Sequence, residues 1–327
     1  GGWASPSFFW YHHPASHNSV TIDGKMHTNL PIGSFLKYPQ YGECKMWAIG
    51  EFVKSVYVSA PEYIDGKRYE RLIALVDLSE KDCYCIDIFR VEGGKKHERF
   101  IRSFFSTITT GKLNLSKKYE NTSCETVYEK VSVDGHNAYM RNFMYDNKPE
   151  NGWFVDFKID DRYKVLNNSA DIHLRYTDLT KDANVCICES WIDTTDWSHS
   201  KNKQVGNRED WIPTIIVKGE YKSTFAGILE PYEGKSNIFS IKRLELLPYD
   251  KKLTAGSCQE ADLSSNVAIE VISTTGTCDY IIAVDPCYEK KVICRIGARG
   301  QDNRNNSVDF QDELEIETDA WLLIVRK

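Results

Sequence analysis

The chain lacks several things that would narrow its role at once. No stretch approaches the roughly 18 consecutive apolar residues that a membrane helix needs, so a helical membrane span is excluded and no membrane partner is expected. No Gly-rich phosphate loop, no Ser-nucleophile elbow and no dinucleotide fingerprint appears, which removes the commonest nucleotide-dependent and serine-hydrolase chemistries. Helical periodicity is nearly absent. There is no excess of positive charge either: the formal net charge is -6. A polyanion must therefore be met by a local basic patch, and nucleic acid is not expected as a partner. The chain opens Gly-Gly-Trp without a charged-then-apolar leader, and residue 1 reads as a cut point in a longer protein.

What is present is the composition of a folding chain. Its 327 residues are 41% hydrophobic and 27% charged, enough to bury one large domain or two smaller ones. Short alternating or β-branched runs recur: "SVTI", "EFVKSVYVSA", "RLIALVDL", "CYCIDIFRV", "NVCICESWI", "TIIVKG", "FSIKRLELL", "VAIEVI", "YIIAVD", "KVICRI" and "WLLIVRK". They predict an all-β fold. Asp-Gly pairs at 23-24, 65-66 and 134-135 follow such runs and mark hairpins, hence antiparallel pairing. So many strands exceed one open sheet, and a large antiparallel β-sandwich is expected, followed by a smaller β domain. The turn-rich stretch 247–262 places the boundary between 1–250 and 251–327. Residues 193–210 lack periodicity and read as a long loop of the kind that often carries function.

Ten cysteines are present. Cys83 and Cys85, like Cys186 and Cys188, fall on one face of a strand by alternation. One intervening residue is unlike zinc spacing, so reduced core thiols are the expectation, with the compartment open.

Chemistry concentrates in "YHHPASHNSVTIDG", residues 11–24. His12 and His13 stand on a loop ahead of a strand, where a cleft would be lined, and a solvated polar strand end is the plain alternative. Aromatic runs "FFWYHH" and "SWIDTTDWSHS" suit sugar faces or an ordinary core equally. The stretch "GGKKHERFIR" is the best basic patch for acidic sugars, against a solvated hairpin.

Three separated segments together carry a resemblance. "YHHPASHNSVTIDGKMH", "IDIFRVEGGKKHERF" and "STFAGILEPYEGKSNIFSIKRLEL" resemble, in order, strands of heparinase II/III-type polysaccharide lyases. The resemblance spans the C-terminal β portion of that family and implies a supersandwich-like fold. It also implies a partner: the family's N-terminal α/α toroid, which supplies much of its active site. The activity implied is β-elimination on a uronic acid-containing polysaccharide, of glycosaminoglycan or alginate type. The intermediate gathers negative charge on a carboxylate, which wants His, Asn, Arg or a metal beside it, while a Tyr or His serves as base and acid.

Their place on the loop entering the sandwich edge, where a cleft facing a second domain would be lined, makes Tyr11 and His13 catalytic candidates. Trp10, His12, Asn18, His97 and Arg102 become substrate contacts, and the resemblance makes His17 a zinc ligand whose co-ligands would lie upstream of residue 1. Arg102 stands where the family often has a second His, a departure that weakens a catalytic imidazole on this strand and leaves a guanidinium for a sulfate or carboxylate, with a structural role for both His97 and Arg102 as the plain alternative. Export to the periplasm or outside follows from the resemblance alone. A non-catalytic carbohydrate-binding module and a uronyl epimerase remain alternatives.

Overall fold

Alternating β-branched and aromatic residues make strands because a pleated chain can bury one row of them against a second layer. The structure, a computed structural model, describes residues 10–11, 13–25, 42–61, 66–117, 139–162, 164, 166, 170–192, 210–249, 263–296 and 314–327. Strand is nearly all of the regular secondary structure among them. The expected Asp134-Gly135 turn, the loop at 193–209, most of the boundary stretch and His12 lie outside these residues.

The chain divides into two compact units, Gly1–Ser236 and Asn237–Lys327. The first holds β1 (Val20–Ile22), β2 (Glu43–Ile49), β3 (Val53–Ser59), β4 (Arg68–Asp77), β5 (Cys83–Arg102) and β6 (Ser106–Gly111). It continues with β7 (Met140–Asp146), β8 (Phe154–Ile159), β9 (Ile172–Asp178), β10 (Asn184–Ile192) and β11 (Asp210–Glu233). All eleven belong to one antiparallel sheet.

Two strands are far longer than the rest, β5 with 20 residues and β11 with 24. They pair with each other from Thr214↔Arg102 to Leu229↔Cys85. The first half of β5 also pairs with β4, and the second half of β11 with β9. Their other halves pair with β1 and β10, and β10 carries β7. One sheet thus becomes two layers: β2-β3-β4-β5-β11-β9-β8-β6 and β1-β5-β11-β10-β7.

The core between the layers draws on both. Phe89, Val91, Val155, Phe157, Tyr176 and Phe225 from the first meet Val20, Ile101, Val185, Ile187, Ile215 and Val217 from the second. Each such fully buried side chain contributes about 1.5–3 kcal/mol. The predicted sandwich is the observed one.

The bend has a definite chemistry. Gly93 and Gly94 both take positive φ, +124° and +62°, a region that favours glycine. A Cβ on Gly94 would fall 2.4 Å from Ile22 Cγ2. Opposite, Tyr221 has φ 51° and the β5–β11 register shifts between Glu220 and Lys222. Asp23 caps the bend, its Oδ1 accepting from the N–H groups of Lys95 and Lys96 at 2.9 Å each. Asp23 and Gly24 are themselves left-handed, φ 54° and 66°. Lys25 N donates to Ile22 O at 3.1 Å, so this Asp-Gly pair forms the tight primed turn its residues call for. The segment 93–102 is a bent continuous strand rather than a hairpin, with Gly94, Lys95 and Lys96 exposed at the crest.

Between the layers lies an ion cluster. Asp87 is 2% exposed and Arg99, also 2% exposed, donates to its Oδ2 at 2.7 Å. Arg71 binds the same carboxylate through Nε at 2.9 Å and Nη2 at 2.7 Å. The Arg99 guanidinium lies 5.6 Å from the Tyr176 ring, whose hydroxyl donates to buried Asp178 at 2.5 Å. Burial opposes ionisation of Asp87, but the Arg99 and Arg71 guanidinium groups outweigh it and hold the carboxyl below the usual range.

The second unit is a smaller sandwich of β12 (Ile238–Arg243), β13 (Leu246–Pro248), β14 (Val267–Ser273), β15 (Cys278–Ala283), β16 (Val292–Ile296), β17 (Leu314–Thr318) and β18 (Leu323–Arg326). Its sheets run β12-β14-β15-β18 and β13-β16-β17. Ala268 and Ile282 of one pack with Val292, Cys294 and Ile316 of the other. Strands β12 and β13, grouped by sequence with the front block, pair inside this unit. The eight cysteines among the described residues are free; Cys186, Cys188 and Cys294 are buried.

Removing one partner of a buried ion cluster strands the others in a dry interior. Asp87→Ala is therefore expected to cost about 3–5 kcal/mol of unfolding free energy, read by urea denaturation near neutral pH. A change below about 1 kcal/mol would show that the cluster does not hold the layers together.

Candidate functional site

The histidine-rich segment lies across the outer face of the second layer, and a hydrophobic cluster pins it there. Trp10, 1% exposed, and Ala15, 0% exposed, pack with Phe100, Tyr139, Met140, Tyr145, Cys186, Cys188 and Ile216. Trp10 Nε1 donates to the Trp191 carbonyl at 3.0 Å, and its ring stacks on Tyr139 at 5.0 Å. Pro14–Ser16 form one 3-10 turn, capped by His13. Beyond it, the Tyr69 hydroxyl holds the start of β1, bonding Ser19 Oγ at 2.7 Å and donating to Val20 O at 2.9 Å.

This turn sends the histidines to different places. His13 is 3% exposed, and its Nδ1 accepts the Ala15 N–H at 3.1 Å. Accepting at Nδ1 fixes a neutral ring protonated at Nε2. Burial, against a backbone hydrogen bond to Gly24, pushes its pKa down from 6.5 to about 4. The structure thus sets His13 inside rather than at a cleft. His17 is exposed, and its Nε2 donates to the Tyr11 carbonyl at 2.7 Å. Tyr11 is 37% exposed and stacks on Trp191 at 6.0 Å.

Asn18 and Arg102 are locked to one another. Asn18 Nδ2 donates to Arg102 O at 3.1 Å, and Arg102 N donates to Asn18 Oδ1 at 2.9 Å. The Arg102 side chain donates to the Ala15 carbonyl. Arg71, from the buried ion cluster, donates through Nη1 to Asn18 O at 3.0 Å. Trp10, Tyr11, His13, His17, Asn18 and Arg102 are therefore one neighbourhood, at the end of the second layer where β5 finishes and β11 begins.

His97 stands apart from them, at the bend. It is 0% exposed, with Nε2 donating to Gly93 O at 2.6 Å and Nδ1 bonded to Ser223 Oγ at 2.7 Å. Burial lowers its pKa, opposed by the Gly93 carbonyl and Asp23. Its geometry fastens the crest of β5 to β11 and touches no open surface.

The third resembling segment contributes Tyr232 to another polar network. Asp156, 3% exposed, accepts from His173 Nδ1 at 2.6 Å, Arg175 Nε at 2.9 Å and the Tyr232 hydroxyl. The His173 and Tyr232 rings stack at 4.9 Å. A polar cavity of about 350 Å³ lies beside Asn147–Ala183 residues such as Trp153 and Asp178, and none of the candidates above lines it.

Among the described residues no group of three or more His, Cys, Asp and Glu is placed to hold a metal ion. His17 commits Nε2 to a carbonyl. The described residues do not by themselves fit a zinc ion.

No family model matches the chain and no curated protein does. Solved structures do. Heparan sulfate lyase HepC from Pedobacter heparinus is 12% identical with a TM-score of 0.44, covering 84% of this chain and 31% of that one. The heparinase III BT4657 gene product is 10% identical with a TM-score of 0.42 and the same coverage. A further heparinase III is 12% identical with a TM-score of 0.43, covering 86% of this chain and 31% of that one. The chain thus spans about a third of the length of the structures it matches.

Sequence alone does not single out Arg141 and Trp211, which lie beside Trp191, or Tyr69 and Tyr139, which are buried beneath the segment and hold it in place. Arg141 lies 4.0 Å from the Trp211 ring centroid, and Trp211 faces Trp191 in the β10–β11 register. The signal available was the alternation of β7 and β11, which fixes their partners only once the pairing is known.

His13 supplies a pH test. The unfolded imidazole takes its proton near pH 6.5 and the folded one near 4, so its contribution is complete above 6.5 and falls as pH drops toward 4. The linked loss amounts to roughly 3 kcal/mol over that window. Denaturant titrations between about pH 7 and pH 5 should show a shallower decline for His13→Gln than for the wild type. Equal slopes would place His13 in water.

Proposed function

We propose that this chain is the β-sandwich part of a polysaccharide lyase that cleaves uronic acid-containing polysaccharide by β-elimination. One observation carries the reading. The first resembling segment supplies β1, the second β5 and the third much of β11, and these three are consecutive neighbours in the sheet. Segments separated by more than 50 residues in sequence thus meet at the bend of β5, where Ile22 pairs with His97 and His97 bonds Ser223, and the Tyr11–Arg102 rim lies farther along the second layer.

In this proposal the rim faces acidic sugar. Tyr11 and Trp191 offer aromatic faces to pyranose rings. Tyr11 and His17, both exposed, are the groups able to reach substrate. His13, sealed and neutral, positions the segment that carries them. Arg102 and Asn18 brace the strand ends. Elimination removes the proton α to the uronate carboxylate and expels the glycosidic oxygen, leaving an unsaturated uronate. The toroid that the resemblance implies would supply the principal acid and base, and zinc would enter only with ligands from outside these residues.

The test is the whole gene product on heparin, chondroitin, hyaluronan and alginate, read as ultraviolet absorbance of a new unsaturated uronate. Product on at least one, reduced by Tyr11→Ala, is the expected outcome. Binding of acidic polysaccharide with no product on any of the four would favour a carbohydrate-binding module instead.

A further inference from the structure

We propose that Arg141 is an oxyanion-binding fork for an acidic saccharide, receiving a carboxylate or sulfate group beside the Tyr11–Trp191 aromatic face. The inference rests on the polysaccharide reading and adds a residue outside all three resembling segments.

The geometry begins with a break in alternation. Consecutive strand residues point to opposite faces, yet Arg141 Nε and Asn142 Nδ2 both donate to Glu189 Oε2, at 2.7 and 2.8 Å. Asn142 makes this possible with φ 57°, and the β7–β10 register shifts between Ile187 and Glu189. Bulges of this kind re-aim side chains.

The result is a guanidinium held on two sides. Glu189 holds its Nε edge, and the Trp211 ring lies 4.0 Å from Cζ. The Arg141 side chain is 49% exposed, and Nη1 and Nη2 make no hydrogen bond among the described residues. A planar fork fixed at Nε, with both terminal nitrogens open to water, matches the two oxygens of a carboxylate or sulfate. Lysine could keep the charge there but not the fork.

The neighbourhood suits a sugar. Trp211 pairs across the strands with Trp191, on which Tyr11 stacks. An anionic substituent on Arg141 would place its ring beside the half-buried Trp211 and Trp191 and the exposed Tyr11. A surface ion pair alone would not need the left-handed Asn142 or the stacked indole.

Isothermal titration of the full chain tests this with a non-sulfated hyaluronan oligosaccharide, a heparin-derived oligosaccharide and inorganic sulfate, with tryptophan fluorescence as a second readout. Arg141→Ala is expected to weaken saccharide binding about tenfold, and Arg141→Lys by several-fold, as loss of a bidentate contact predicts. Their thermal midpoints should stay near wild type. An effect on both oligosaccharides assigns a carboxylate, and an effect on the heparin-derived probe and sulfate alone assigns a sulfate. Wild-type affinity in Arg141→Ala, or full affinity in Arg141→Lys, overturns the fork. Absence of saccharide binding by the wild type overturns it as well. The product assay on the whole protein decides the lyase reading separately.

Discussion

The carboxylate of Asp87 is the point on which the sandwich closes. Asp87 and Arg99 belong to the same strand, twelve residues apart, which in extended chain is about 40 Å. Their side chains nevertheless meet at 2.7 Å in the dry interior. The strand must therefore double back, and β11 must double back with it, because the two stay paired on both sides of the bend. Burying these charges is costly in itself. Two guanidinium groups on one carboxylate, with Tyr176 beneath Arg99, offset that cost. The same cluster reaches the rim: Arg71 bonds both Asp87 and Asn18, and Asn18 fixes the end of β5 at Arg102. Core and candidate site are thus joined by three successive hydrogen-bonded contacts.

The bend explains His97. From sequence, Gly-Gly-Lys-Lys-His looks equally like a basic sugar-facing patch and a solvated hairpin. In a hairpin the two arms would pair with each other. Here both arms pair with β11, and the imidazole bridges Gly93 and Ser223 where the ladder slips. No local pattern distinguishes these outcomes, because the deciding partner lies more than 100 residues away.

Dependence on distant partners also separates the strands that are legible in sequence from those that are not. Strands with strict alternation or β-branched cores, such as Val53–Ser59, Asn184–Ile192 and Val267–Ser273, were readable, and they are buried as their pattern implies. Glu43–Ile49 escaped notice because it is an exposed edge strand, with Trp47 and Ile49 open to water. Ile172–Asp178 hid because its polar residues are satisfied by partners on other strands, His173 and Arg175 by Asp156. In the site, the His-rich segment was visible but the fate of each ring was not. One 3-10 turn separates His13 from His17 and puts one in the core and the other in solvent. The alternation of β7 alone could not point to Arg141, since its placement depends on a bulge and on Glu189 from another strand.

Charge is where global and local physics diverge. A net charge of -6 suggests repulsion of a polyanion, yet ions screen exposed charges over about 8 Å at physiological salt. In the proposed binding, a sugar carboxylate at the rim would sense the groups within one or two side-chain lengths. Those include Arg141, with an open fork, whereas Glu189 spends one oxygen on Arg141 and Asn142 together. Arg102 is turned inward to the Ala15 carbonyl and contributes a longer-range field rather than a contact. Asp87, Asp156 and Asp279 are each paired with arginine within the fold. Binding governed by so short a range should depend on the geometry of one guanidinium more than on the sum of charges, which is why replacing its shape and replacing its charge are different experiments.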